Sequence, residues 1–260
     1  MNTLLITGTD FQVGKTTVLM ALIAYWQKYR QKYCNPKNHP ASGQLGIMKP
    51  IDCFTSPAQR DCDRLLRLFQ LDQTPAEMTP VAIESAAGLP MAADQAGVKI
   101  DLEILWQQLQ QLQQQRDFVL LEAWGGLGSA LNAQTTVADL AWDWRIPTLL
   151  VVPVQPGTVA QAVSNVALAR QAKVHLKGIV LNAVSPCSTQ DWDNWAPIEL
   201  IQSLTHQPVL GCIPYLDHLQ AMEADPPLDQ RVDQLMDRLV NVVSDWDLER
   251  LLPVVMDWVA

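Results

Sequence analysis

Six short apolar runs punctuate the chain: Leu4–Ile6, Leu45–Met48, Asp117–Glu122, Thr148–Val154, Leu176–Asn182 and Val209–Pro214. Their apolar residues are consecutive rather than alternating, which fits strands buried on both faces. Between them the period lengthens to that of a helix. Residues 15–33 read as one helix, and Asp61–Leu71 as another. Leu102, Leu105, Leu109 and Leu112, widened by Ile104 and Trp106, make a single apolar stripe; the glutamines between them fall on the solvated face. Thr136–Trp144, Val159–Ala172 and Pro197–Leu204 follow the same pattern, and Leu228–Val243 and Leu248–Trp258 extend it to the end. Tyr33–Gln44 is rich in turn residues and reads as a surface connection, Asp52–Arg60 as irregular and Pro75–Val98 as a second loop-rich connection. Strand–helix alternation of this kind predicts an α/β fold: a single doubly wound, mainly parallel sheet with helices on both faces. No repeat or linker divides residues 1–260, so one domain is expected, with a core over about 2–217 and a C-terminal helical segment over about 228–258.

The polar residues that interrupt this pattern fall where the strands end. Leu4–Ile6 run into Gly8-Thr9-Asp10-Phe11-Gln12-Val13-Gly14-Lys15-Thr16-Thr17 and then into a helix. Such a strand–loop–helix can wrap backbone N–H groups around phosphate oxygens. Lys15 would reach the outer phosphates, and the Thr16 hydroxyl would stand where a Mg²⁺ ligand is needed. The fold class is thus that of the phosphate-loop NTPases, although five residues rather than the usual four separate Gly8 from Gly14. Pro50 keeps Lys49 out of helical geometry and so at the carboxyl end of a strand, where open α/β sheets bind ligands. Glu122 ends an apolar strand, the position of an acid that supports Mg²⁺ in such NTPases, and Ala123–Gly128 follows as a flexible glycine loop. Asp61 and Asp63 open a helix, either as ordinary N-terminal acids or as a carboxylate aimed at the metal. Gln155-Pro156-Gly157-Thr158 turns into a helix whose free N–H groups could hold an anion such as a carboxylate. Asn182 could read a nucleobase edge or close a turn.

Composition narrows the field. The 260 residues are 48% hydrophobic and only 17% charged, ample for a core and unlike a disordered chain. A net charge of −9 argues against nucleic acid as the main partner, whereas ATP can still be bound by a local loop. The apolar runs are of strand length, so neither a membrane span nor a signal peptide is expected. Five cysteines (Cys34, Cys53, Cys62, Cys187, Cys212) lack metal-ligand spacing and read as free thiols of a cytoplasmic protein.

Assembled, these residues resemble dethiobiotin synthase, the ATP-dependent enzyme of biotin synthesis, over about residues 2–217. Gly8-Thr9-Asp10-x-x-Val13-Gly14-Lys15-Thr16 carries that family's own glycine spacing. Lys49-Pro50, Glu122 with Gly125-Gly126, Val152-x-Val154-x-x-Gly157, Val180-x-Asn182 and Gly211-x-Ile213-Pro214 follow in the family's order. Leu127-Gly128-Ser129 and Arg170-Gln171-Ala172 look like its cyanobacterial branch. The resemblance implies that 7,8-diaminopelargonate, CO2 or bicarbonate, and ATP give dethiobiotin, ADP and phosphate. The path would run through a carbamate and a carbamic–phosphoric anhydride, in a homodimer with the substrate site at its interface. It implies Lys15 and Lys49 as catalytic, with Gly8, Thr9, Asp10, Gln12, Val13, Gly14, Lys15, Thr16 and Thr17 around the phosphates. Asn182, Pro214, Tyr215 and Leu216 would hold adenine, and Thr16, Glu122 and one of Asp61 or Asp63 would hold Mg²⁺. Lys49, Cys53, Gly125 and Gly126 would face the substrate, and Gly157-Thr158 would take the carboxylate in the neighbouring subunit's site.

Departures from the family pattern are confined to a few positions. Phe11 and Gln12 stand where a small polar residue and an acid are usual, and Asp52-Cys53-Phe54 where Ser or Thr and then Gly are common. Ala123-Trp124 replaces Gly-Ala, and Gln155 replaces a lysine. These substitutions motivate a rival reading, a nucleotide-binding regulatory or partner module. Relatives that position cell components, however, usually carry an additional lysine early in the loop, which Gly8-Thr9-Asp10 lacks. A further alternative, a related phosphate-loop ligase of the cobyrinate amidotransferase kind, normally continues into a glutaminase domain, for which 260 residues leave no room.

Overall fold

The structure, a computed structural model, describes residues 2–33, 44–56, 60–217 and 229–252. Six strands form one all-parallel sheet: β1 (Thr3–Gly8), β2 (Leu45–Met48), β5 (Phe118–Gly126), β6 (Thr148–Pro153), β7 (Leu176–Asn182) and β8 (Val209–Ile213). Their order is β2-β5-β1-β6-β7-β8. Strand residues alternate between two layers. Leu4, Ile6, Phe118, Leu120, Leu149 and Val151 pack with α1 (Lys15–Tyr33) and α2 (Asp61–Phe69). Leu5, Val119 and Leu121 face α4 (Leu89–Ala96), α5 (Leu102–Gln115) and α6 (Val137–Asp143), while Leu150, Val152, Ile179 and Leu181 face α7 (Thr158–Gln171) and α9 (Ile198–Thr205). Both faces of the sheet are therefore covered, as the unbroken apolar runs require.

Several helices start where side-chain caps place them. Asp101 caps α5, its Oδ1 accepting from the N–H groups of Glu103 and Ile104 at 3.1 and 3.3 Å. Thr136 and Asp139 form a reciprocal capping box on α6. The helix α10 (Asp229–Ser244) packs against α1 through Leu235, Leu239, Val240 and Val243. Trp246 then lies on Gly211 of β8, and the Asp247 N–H donates to the Leu210 carbonyl at 2.9 Å. The C-terminal segment thus covers the sheet.

Four expectations are corrected. Asp52–Arg60 is not wholly irregular: Ile51–Phe54 is a strand, β3, paired in parallel with β4 (Val81–Glu84). Pro75–Val98 is not a loop, because it contains α3 (Pro75–Met78), β4 and α4. A capping box of Thr74 and Glu77, with Pro75 at the first helical position, starts α3. Ala123–Gly128 is not a free glycine loop, since β5 continues through Gly126 and pairs with Gly8 after a register shift on β1. Of Leu248–Trp258, the described part holds a short 3-10 helix, Leu248–Arg250, and residues 253–260 lie outside the described residues. A further helix, α8 (Thr189–Trp195), capped by Ser188 and Asp191, was not anticipated. Most of the Tyr33–Gln44 connection also lies outside the described residues. Among those described, Cys53, Cys62, Cys187 and Cys212 are free thiols, and no helix is long and apolar enough to cross a membrane.

Candidate nucleotide and substrate site

The carboxyl ends of β1, β2, β5, β7 and β8 border a single cleft of about 1440 Å³. At its floor the loop after β1 folds back on itself. Lys15, nearly buried, donates from Nζ to the Asp10 carbonyl at 2.9 Å, which holds the side chain along the loop. Burial lowers its pKa, against the opposing charge of Glu122. Gly14 has φ +90°, and a β-carbon there would fall 1.9 Å from Nδ2 of Asn182. That same Nδ2 donates to the Val13 carbonyl at 2.9 Å. A side chain at the end of β7 thereby pins the phosphate loop. Asn182 also lines the cleft, and through Nδ2 it closes a turn in the loop.

The β1–β5 contact is equally close. A β-carbon on Gly126 would lie 2.6 Å from the Thr9 carbonyl carbon and oxygen, and 2.8 Å from the Asp10 nitrogen. Backbone on every side leaves no atom free to yield. Gly126 therefore lets β5 touch the phosphate loop directly, as does its neighbour Leu127, whose N–H donates to the Gly8 carbonyl at 3.1 Å. Asp10 turns outward and accepts from the Phe11 N–H at 2.7 Å, while Thr9 bonds Gln161 of α7 at 3.0 Å.

Three carboxylates surround Lys49. The residue follows β2, its N–H donates to the Met78 carbonyl at 2.8 Å, and it is 6% exposed. Nζ pairs with Asp61, with Asp52 at 3.0 Å and with Glu122 at 3.9 Å. Burial by itself would lower the lysine's pKa, but the charges of Glu122, Asp61 and Asp52 outweigh it and raise the value, so Lys49 stays an ammonium. Glu122 and Asp52 are raised, first by burial. One oxygen of each, Glu122 Oε2 and Asp52 Oδ2, is buried with no hydrogen-bond partner. Asp52 had no role in the sequence reading; a carboxylate three residues beyond a strand-end lysine was the available signal.

The residues present fit Mg²⁺. The Thr16 hydroxyl donates to Glu122 Oε1 at 2.8 Å, bringing two hard oxygen ligands together beside the orphaned Glu122 Oε2. Among the described residues no group of three or more His, Cys, Asp or Glu side chains forms a metal cage. Mg²⁺ commonly takes one or two protein carboxylates and completes its shell with water and phosphate, a set that Thr16 and Glu122 can begin.

The other expected residues divide. Gln12, Thr17, Cys53, Asp61, Gly125, Pro214, Tyr215 and Leu216 line the same cleft. Asp63, Gly126, Gly157 and Thr158 do not, nor do Gly8, Thr9, Asp10 and Val13 of the phosphate loop. Asp63 turns toward Arg60, whose Nε is 3.9 Å away, so of the two helix-start acids Asp61 is the one presented to the site. Thr158 is buried, its hydroxyl donating to the Pro153 and Gln155 carbonyls at 2.8 and 2.6 Å. Gly157 caps α7 in left-handed geometry with open space around it.

Fold and site define a phosphate-loop nucleotide-binding α/β protein. Residues 2–223 match the family described as AAA domain. The ATP-dependent dethiobiotin synthetase of Gloeothece citriformis is 43% identical over 98% of this chain and 100% of its own length. Those of Crocosphaera subtropica and Synechocystis are 41% and 39% identical over 96% of this chain, and over 100% and 94% of their own lengths. The chain belongs to the ATP-dependent dethiobiotin synthetase family. Solved structures share the fold alone. The MinC:MinD cell division complex of Aquifex aeolicus matches with a TM-score of 0.57 at 14% identity, over 99% of this chain and 96% of that one. A ParA family ATPase from Chlorobium tepidum matches with 0.54 at 12%, over 95% and 97%.

Proposed function

We propose that this protein is a cytoplasmic ATP-dependent dethiobiotin synthetase that joins CO2 to 7,8-diaminopelargonate and closes the ureido ring. The observation that carries the reading is the convergence of Lys15, Thr16, Glu122 and Lys49 from three adjacent strands on one cleft, in a chain of this family. One amine attacks CO2 and releases a proton, giving a carbamate. A carbamate oxygen attacks the γ-phosphorus and ADP leaves. The second amine then attacks the carbamoyl carbon and loses a proton, and phosphate leaves as the ring closes. Phosphoryl transfer of this kind asks for positioning and charge neutralisation more than covalent help.

The backbone N–H groups of residues 12–17 cradle the phosphates, and Lys15 neutralises charge at the γ-phosphate. Lys49, held as an ammonium by its three carboxylates, binds the carbamate oxygens beside it. Thr16 and Glu122, with Asp61, would hold Mg²⁺, which would supply neutralisation of phosphate charge. Pro214, Tyr215 and Leu216 at the end of β8 hold the adenine. Gly157 and Thr158 lie outside the cleft and serve the neighbouring subunit of a homodimer, where the open α7 N-terminus takes the substrate carboxylate.

The test is purified protein with ATP, Mg²⁺, bicarbonate and 7,8-diaminopelargonate, read by mass spectrometry for dethiobiotin. Product is expected from the wild type and none from a folded Lys15→Ala variant. ATP binding without product would instead support a regulatory nucleotide-binding module.

A further inference from the structure

Two aromatic side chains meet at the mouth of the cleft, and nothing in the nucleotide chemistry uses them. Phe11 belongs to the phosphate loop and Trp124 to β5, yet their rings meet edge to face, 4.8 Å between centroids and 69° between planes. Phe11 is 43% exposed in a polar loop. Trp124 is half-buried, resting on the apolar layer that includes Ala123 and Leu131. Both line the cleft, and Phe11 also lies over the Gly125 backbone. The Lys15 ammonium stands 5.8 Å from the Phe11 ring centroid, so the pair borders the γ-phosphate position.

Sheet order decides which ligand the pair faces. β5 lies between β2, which presents Lys49, and β1, which presents the phosphate loop. Asn182 and Pro214 stand at the far side, on β7 and just past β8. The aromatic pair is therefore on the second-substrate side of the phosphates, not on the adenine side. A large exposed ring inside a cleft is stabilised by whatever apolar surface covers it. An edge-to-face partner fixes its orientation at little further entropic expense and leaves one ring face open.

We propose that Phe11 and Trp124 form an apolar wall for the polymethylene chain of the diamine, and so make the enzyme selective for long-chain over short-chain vicinal diamines. This rests on the activity proposed above. The amines and carboxylate of that substrate are met by charged and polar groups, and its methylenes need an apolar surface between Lys49 and the open solvent. Phe11 and Trp124 are specificity-determining residues, with no part in the bonds made or broken.

The experiment measures the affinity of 2,3-diaminoalkanes, from butane to nonane, by calorimetry with a non-hydrolysable ATP analogue present. These compounds lack the carboxylate, so chain length is the only variable. In the wild type each methylene that reaches the wall should tighten binding by about fourfold. In Phe11→Ala, and separately in Trp124→Ala, the step should fall to about twofold or less, with 2,3-diaminobutane and ATP affinities unchanged. Phe11→Leu, which keeps apolar surface, should retain most of the slope. An unaltered slope in Phe11→Ala overturns the proposal, as does an equal loss at every chain length, which would mark a general loop defect. A change in sedimentation of Phe11→Ala with the slope intact also overturns it, because the ring would then be covered by a second copy. Dethiobiotin formation by the wild type is scored separately. Product with a flat wild-type slope removes the wall alone, whereas absence of product removes the activity and the wall together.

Discussion

Replacing Asn182 by alanine distinguishes a residue that holds the phosphate loop from one that reads the base. Its Nδ2 donates to the Val13 carbonyl at 2.9 Å, and Asn182 and Val13 are 3% and 4% exposed. Alanine leaves that carbonyl buried without its donor, which costs about 1–3 kcal/mol. Taking about 2 kcal/mol, and about 2–4 °C per kcal/mol for a domain of this size, the melting temperature should fall by about 4–8 °C. The loop beside it contains Gly14 at φ +90° and Gln12 at φ +56°, left-handed conformations that local preference alone does not secure at Gln12. Each 1.4 kcal/mol withdrawn from the competent loop reduces apparent affinity about tenfold, so if the whole of that loss falls on the loop, ATP should bind about thirty times more weakly. The Nδ2 contact is with the loop backbone. The loss should accordingly be equal for ATP, GTP and inorganic tripolyphosphate, measured by calorimetry beside a thermal melt. An unchanged melting temperature and tripolyphosphate affinity, with ATP no longer preferred over GTP, would refute this and make Asn182 a reader of the base edge.

Gly126→Ala should lower stability by about 1–3 kcal/mol and weaken ATP binding by at least about tenfold, because its β-carbon meets Thr9 and Asp10 backbone. Gly88→Ala, whose β-carbon meets nothing within 4 Å, is the control and should leave both a melt and an ATP titration close to wild type. Lys49→Met strips the ammonium from Asp52, Asp61 and Glu122, so the melt should report a loss of about 3 kcal/mol, and turnover should fall far more than ATP affinity. Retained turnover would remove Lys49 from the chemistry. Burial, and then the charge of Asp52, push the Cys53 thiol up to about 11. Its thiol form thus favours the fold below the ordinary thiol range, and that contribution is lost as pH rises through about 11. At pH 8 iodoacetamide should label Cys53 roughly a hundredfold more slowly than a free thiol, and urea should abolish the difference.

The elements legible in the sequence were those whose signal is local and long. β1, β6 and β7 are unbroken apolar runs, α5 is a long periodic stripe, and α1 is a long run without glycine or proline. The missed elements are short, and tertiary contacts sustain them. Ile51–Phe54 follows a proline and carries Asp52 in its middle, and Val81–Glu84 follows Pro80; each is a strand only because it pairs with the other. The capping boxes at Thr74 and Ser188 were readable helix starts, but the helices they open are too short to show a period.

The site divides along the same line. The phosphate loop, Lys49 and Glu122 were visible because each sits at the end of its own strand. What no single strand records is the order β2-β5-β1, which sets Lys49 and the loop on either side of β5 and brings Asp52 and Asp61 onto one ammonium. Taken singly, Phe11 and Trp124 are two unrelated departures from a family pattern. The β5–β1 contact, tightened where Gly126 meets Thr9, turns them into one edge-to-face pair. An aromatic side chain at either position alone would lack the partner that orients it. The two substitutions therefore alter one surface of the cleft, with the Phe11 ring 5.8 Å from the Lys15 ammonium and the Thr16–Glu122 hydrogen bond formed without them.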